Sequence, residues 1–261
     1  MTMWQVIILG AVAGFTIFLG LPVARLRRRP HGVQSMLNAL ALGVLLFLVW
    51  DILAKALDRL GDALKEAIKS GHWGAFTALA FMLVAGLVGG MVGLVSFHHK
   101  VLRRSTGTPR FPRQLAVMIA IGLGLHNFSE GLAIAQAAAT GAIGFAAILI
   151  IGFGLHNITE GFAIAAPLLV GGQVPTWSFL GWTGLMAGGP TLLGTIVGYG
   201  VNSPLAFVLF LALAAGALFY LIGEMFAVGR SLQRPVWSAW GVVIGFLVAY
   251  GTDVVLTVAG L

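Results

Sequence analysis

Cysteine is absent from this 261-residue chain, and charged residues make up only 9% of it. Without thiolates, any metal must be held by nitrogen and oxygen, which disfavours copper(I). An ordinary soluble domain carries about 25% charged residues, so the scarcity of charge excludes that class and leaves no room for a separate soluble domain. The few charges are biased, with 15 Lys and Arg against 8 Asp and Glu. The basic residues flank apolar runs and do not interleave with aromatics on a polar face, which argues against nucleic acid as a partner. Ten-residue segments of alternating polarity, the mark of a membrane β-barrel, are missing as well.

What remains is apolar: 59% hydrophobic residues, 37 glycines and a mean hydropathy of +1.00. About 20 residues cross a bilayer as a helix, and eight apolar runs of that order follow one another at 3–21, 34–54, 73–97, 114–139, 141–166, 175–199, 204–228 and 236–259. The expectation is an all-α polytopic membrane protein, with residues 1–261 forming one transmembrane domain. The chain enters its first run with no basic segment before it, so that run reads as an uncleaved span. Arg25, Arg27, Arg28, Arg29, Lys100, Arg103, Arg104, Arg110, Arg113, Arg230 and Arg234 lie in the connections after spans 1, 3 and 7. Only Lys55, Arg59, Lys65 and Lys69 fall on the other side, so the positive-inside rule places both termini outside an inner or plasma membrane. In that long outer connection Leu57, Leu60, Leu64 and Ile68 recur at helical spacing, and Arg59 with Asp62 and Glu66 with Lys69 stand three apart. An amphipathic helical extension of span 2 follows.

Residues 121–135 read IGLGLHNFSEGLAIA and residues 151–165 read IGFGLHNITEGFAIA, identical at 11 of 15 positions. The two N-x-[ST] patterns inside them lie within spans and cannot be glycosylated there. On a helix, residues four apart share a face, so His126 aligns with Glu130 and His156 with Glu160, with Asn127 and Asn157 alongside. Two facing helices then offer two imidazoles, two carboxylates and two amide oxygens to one point, a set suited to a divalent first-row metal. An acidic residue at a span centre costs about 2.5–3.5 kcal/mol on an insertion scale, and no Lys or Arg lies centrally in any span to offset it. A metal site meets that cost, and so does a protonated relay. The bland alternative is interhelical hydrogen-bond glue, which the in-register duplication of six ligand-type residues disfavours. The flanking glycines, Gly122, Gly124, Gly131, Gly152, Gly154 and Gly161, serve close helix packing. Asp51, Glu224 and Asp253 are candidate pathway residues. His98 and His99 form a weaker candidate for ions leaving on the inner side, His31 and His72 read as interfacial, and Met186 with the other methionines reads as core or lipid-facing.

HNFSEG and HNITEG resemble the paired HN-x-P-E-G motifs of ZIP (Zrt/Irt-like) metal transporters, especially the bacterial GufA-like branch. The resemblance spans the chain and implies eight helices in an inverted 3+2+3 arrangement, a homodimer as a common assembly, and transport of zinc or a similar divalent ion toward the cytoplasm. His126, Asn127, Glu130, His156, Asn157 and Glu160 would be its ligands, with the ion as cargo and no cofactor. Two departures stand out: Ser129 and Thr159 replace the motif prolines, and Gly189 stands before Pro190 where that branch has a glutamate. Two carboxylates neutralise one dication, so a single tightly held ion is expected unless Asp51, Glu224 or Asp253 reaches the midplane. The chain thus reads as a carrier and not an enzyme. A membrane-embedded metallohydrolase, in which Glu130 or Glu160 would serve as base, and a proton channel or sensor are the rivals.

The orientation is testable with a single cysteine at Ser105. Impermeant thiol reagent applied outside intact cells should leave Ser105→Cys unlabelled and should label it after permeabilisation.

Overall fold

The computed structural model describes residues 2–26, 30–102, 111–139, 143–170, 174–200 and 203–258. Arg27, Arg28, Arg29, Arg103, Arg104, Ser105 and Arg110 lie outside them, as do residues 141 and 259 at the edges of the expected spans. Among the described residues all regular structure is helical. We number the long helices α1 (Met3–Arg25), α2 (His31–Ser70), α3 (Gly74–Phe97), α4 (Phe111–Ala139), α5 (Ile143–Val170), α6 (Trp177–Gly200), α7 (Pro204–Ser231) and α8 (Pro235–Val258). Six of them, α1 to α4, α7 and α8, are long and apolar enough to cross a membrane. In α6 the glycines, threonines and tryptophans dilute the apolar residues, although its 24 residues match the span length.

Local chemistry accounts for the helix ends. Thr2 and Gln5 form a reciprocal capping box at the start of α1, and Ser203 caps α7, whose first residue is Pro204. Helix α1 is interrupted at Thr16, whose hydroxyl donates to Ala13 O at 2.6 Å, and its last turn, Leu21–Arg25, is 3-10. Helix α2 runs unbroken for 40 residues and stops at Gly71, which takes φ +76°. The expected extension of span 2 is therefore continuous with it. Its charge pairing differs from expectation: Lys65 pairs with Asp62 at 3.0 Å, and the Arg59 guanidinium lies over the Phe207 ring at 5.6 Å. Glu66 and Lys69 form no ion pair, and Leu57 and Ile68 are over half exposed, whereas Leu60 and Leu64 are half-buried.

Helices α4 and α5 stand in the middle, α4 packed on α6 and α5 on α1, while α2 packs on α8 and α3 on α7. Glycine sets these approaches, and the contacts come in matched pairs. A methyl group on Gly161 of α5 would lie 2.1 Å from Ile17 O of α1, and one on its repeat partner Gly131 of α4 would lie 2.1 Å from Thr191 O of α6. Gly20 meets Ile158 O as Gly194 meets Phe128 O. Where α1 crosses α6, Gly14 faces Gly188 O and Gly188 faces Gly14 O. In the outer layer, Gly43 of α2 abuts Val242 O of α8 as Gly216 of α7 abuts Leu87 O of α3, and Gly90 and Gly245 meet Leu213 O and Leu40 O in turn. One residue shift carries α1 onto α6, another α2 onto α7, and a third α3 onto α8.

These contacts leave no space for a side chain, since carbon cannot approach a carbonyl oxygen at 2.1 Å. Gly131→Ala and Gly161→Ala should each cost about 1–3 kcal/mol through forced helix separation. Gly189→Ala, whose added methyl would meet only Leu185 of its own helix at 3.4 Å, should cost far less. Thermal midpoints of the detergent-purified variants check the contrast.

Candidate metal site

Helical periodicity does what the spacing predicts: His126 and Glu130 project from one face of α4 and His156 and Glu160 from one face of α5, all four buried. His126 Nε2 stands 3.3 Å from Glu130 Oε1 and 3.8 Å from Glu160 Oε1. His156 Nε2 stands 3.9 Å from Glu130 Oε1 and 3.6 Å from Glu160 Oε1. Bonds of about 2.0–2.1 Å to a tetrahedral zinc imply ligand-to-ligand edges of roughly 3.4 Å, so these separations lie within about 0.5 Å of what one ion requires. One ring nitrogen each of His126 and His156 and a Glu130 oxygen lie within 4.8 Å of one another, and Glu160 stands outside that set.

The protein does not satisfy these atoms by itself. Ten buried side-chain nitrogens and oxygens among the described residues have no hydrogen bond, and eight belong to the two motifs. They are both ring nitrogens of His126 and His156, one oxygen each of Glu130 and Glu160, and Oδ1 of Asn127 and Asn157. A buried unpaired polar atom costs about 1–3 kcal/mol. One nitrogen of each neutral imidazole carries a proton, and the six remaining atoms at one place call for a ligand that accepts lone pairs.

The asparagines help to build the cluster. Asn127 Nδ2 donates to Glu160 Oε2 at 2.8 Å and to Ala187 O of α6 at 3.1 Å, and Asn157 Nδ2 donates to Ala13 O of α1 at 2.8 Å. A carbonyl acceptor fixes the amide orientation, so each Asn ties its central helix to α6 or α1 and leaves Oδ1 unbonded. Through Asn127, Glu160 presents Oε1 to the two imidazoles. Ser129 and Thr159, where the ZIP motif has proline, donate to His126 O and His156 O at 2.6 Å, the back-bonding that hydroxyl residues make inside helices.

A cavity of about 450 Å³ opens beside the cluster, lined by His126, Ser129 and Glu130 together with Asp51, Lys55 and Asp253. Asp51 and Asp253 therefore lie at this cavity. Glu224 does not: it lies on α7, 17 residues or about 25 Å of helix beyond Phe207, which lines the cavity. Gly189 brings no added group near either central helix. His98 is bonded to Tyr220, while His31 borders a notch with Arg234 and His72 is exposed between α2 and α3.

No family model and no curated protein matches this chain. The site is therefore defined by its own geometry.

Sequence reasoning placed Lys55 in the outer connection and missed that it offsets an acidic residue of the cavity. It stands one residue past the expected end of span 2, yet its ammonium reaches back to Asp51 at 2.7 Å. The four-residue spacing between the two was the available signal.

Asn127→Leu should leave Glu160 Oε2 unpaired and lower stability by about 1–3 kcal/mol. Zinc affinity should fall with it, because Glu160 loses its orientation. Thermal unfolding with and without zinc measures both.

Proposed function

We propose that the protein is a ZIP-like carrier that moves a divalent metal cation, zinc first among them, across a cell membrane toward the cytoplasm. The observation that carries this reading is the meeting of two imidazole nitrogens with two carboxylate oxygens, at nitrogen-to-oxygen separations of 3.3–3.9 Å, in a buried place that an open cavity adjoins. Carboxylates in the cavity draw the ion in, and exchange of its hydration water for His126, Glu130, His156 and Glu160 offsets the cost of burying its charge. Asn127 and Asn157 hold the central helices in register and offer oxygen for a transient contact.

The matched glycine contacts support an eight-span body built as two inverted repeats of three around α4 and α5, as in many secondary transporters. The polar groups follow the same registers. Ala13 and Ala187 receive the two Asn amides. Asp51 stands eight residues after Gly43, and Glu224 eight after Gly216. Asp253 stands eight after Gly245, and His98 eight after Gly90. Glu224 and His98 thus hold, toward the opposite end of the bundle, the positions that Asp51 and Asp253 hold around the cavity. An ion bound between α4 and α5 has an acidic approach on one side and an acidic and imidazole departure on the other, which is the arrangement alternating access needs. This symmetry also argues against a hydrolase, whose acid and base need different surroundings.

Uptake into proteoliposomes across zinc, iron, manganese, cobalt and cadmium tests the reading. His126→Ala, His156→Ala, Glu130→Gln and Glu160→Gln should each reduce uptake by at least about tenfold while the protein still folds and inserts. Unchanged uptake and metal binding in the double histidine variant would overturn the metal site. Hydrolysis of a peptide or ester with no ion flux would move the protein to the enzyme class.

A further inference from the structure

The cavity beside the cluster holds a cation of its own. Lys55 Nζ donates to Asp51 Oδ2 at 2.7 Å, with the Asp51 side chain 8% exposed and that of Lys55 42% exposed. The pair thus bridges the dry cluster and the open cavity. Glu130 and Asp253 line the same space and act electrostatically on the ammonium. Asp58 and Arg59 stand at the same wall.

The internal registers single this lysine out. Twelve residues after Gly43 stands Lys55, and twelve after Gly216 stands Val228. The acidic residue of the pair has an acidic counterpart in Glu224, whereas the ammonium has an aliphatic one. A scaffold that repeats the acid and not the base four residues on has given the acid a paired ammonium at one mouth only. General ion-pair stabilisation of an α2-like helix would call for no such asymmetry.

We propose that Lys55 is a tethered cation which occupies the carboxylate mouth of the pathway and which a divalent ion must displace to reach His126 and Glu130. This rests on the transport reading. A dication carries twice the charge of the ammonium and coordinates Asp51 and Glu130 oxygens directly, while the four-carbon stem lets Lys55 swing into the open cavity. Sodium or potassium has no such advantage over a charge already held in place at high effective concentration. The tether therefore selects against monovalent ions and keeps a second dication from lodging behind the first. It also limits how tightly the mouth holds its cargo, so the ion moves on to the deeper ligands.

The test uses zinc as the probe and the full chain, purified and reconstituted, with Lys55→Met and Lys55→Gln as parallel variants. Both should lower the half-saturating zinc concentration on the order of tenfold, the size expected for loss of a like charge near the ion. Both should bind a second zinc per chain by elemental analysis. Sodium should compete with uptake in the variants more than in the parent, and added methylammonium should return their half-saturation toward the parent value. A merely structural lysine would not give that rescue. Parent protein that binds zinc while both variants keep its affinity and stoichiometry would overturn the tethered-cation role alone. Parent protein that binds no divalent metal at all would overturn the transport reading, and this proposal with it.

Discussion

Unpaired polarity at the centre of an apolar body is the constraint on which the rest of this structure depends. Two histidines, two glutamates and two asparagines are buried between α4 and α5, and eight of their nitrogen and oxygen atoms have no hydrogen bond. Each would cost about 1–3 kcal/mol if nothing answered it. The amide nitrogens of the two asparagines are already taken by Ala187, Ala13 and Glu160, so apart from one N–H on each neutral imidazole the atoms left over offer lone pairs. Such a set is matched to a cation.

Holding such a cluster requires helices that cannot drift, and backbone packing supplies that rigidity. Gly14 against Gly188, Gly20 against Ile158 and Gly194 against Phe128 bring main chains together without intervening side chains. Within lipid, where apolar side chains gain little from leaving one membrane environment for another, close backbone contact and interhelical hydrogen bonds are the main cohesive forces. The Asn127 bond to Ala187 and the Asn157 bond to Ala13 lie on those same crossings, so Asn127, which orients Glu160, also fastens α4 to α6, and Asn157 fastens α5 to α1.

Much of this was legible in the sequence. Eight apolar runs gave the helices to within a few residues at most boundaries, because span length is set by bilayer thickness. The duplicated His, Asn and Glu gave the cluster, because four-residue spacing fixes a common helix face. The continuation of α2 beyond its apolar run to Ser70 was legible too, in the helical spacing of Leu57, Leu60, Leu64 and Ile68. Two features were not legible for physical reasons. Lys55 was assigned to a solvated connection because its position along the chain hides how far a long side chain reaches back. The registers that relate glycine contacts of α1 to those of α6, of α2 to α7 and of α3 to α8 come with little shared side-chain identity, so only packing reveals them.

The unbroken α2 has a mechanical consequence. From Lys55 to Ser70 it continues as one helix for 15 residues, an overhang of about 22 Å. A rod of that length magnifies what happens at its base: a 10° tilt near Asp51 would carry Ser70 sideways by roughly 4 Å. The far end of α2 is therefore a pointer, and a spin or fluorescent label there would translate small rearrangements around the buried ligands into distances large enough to read.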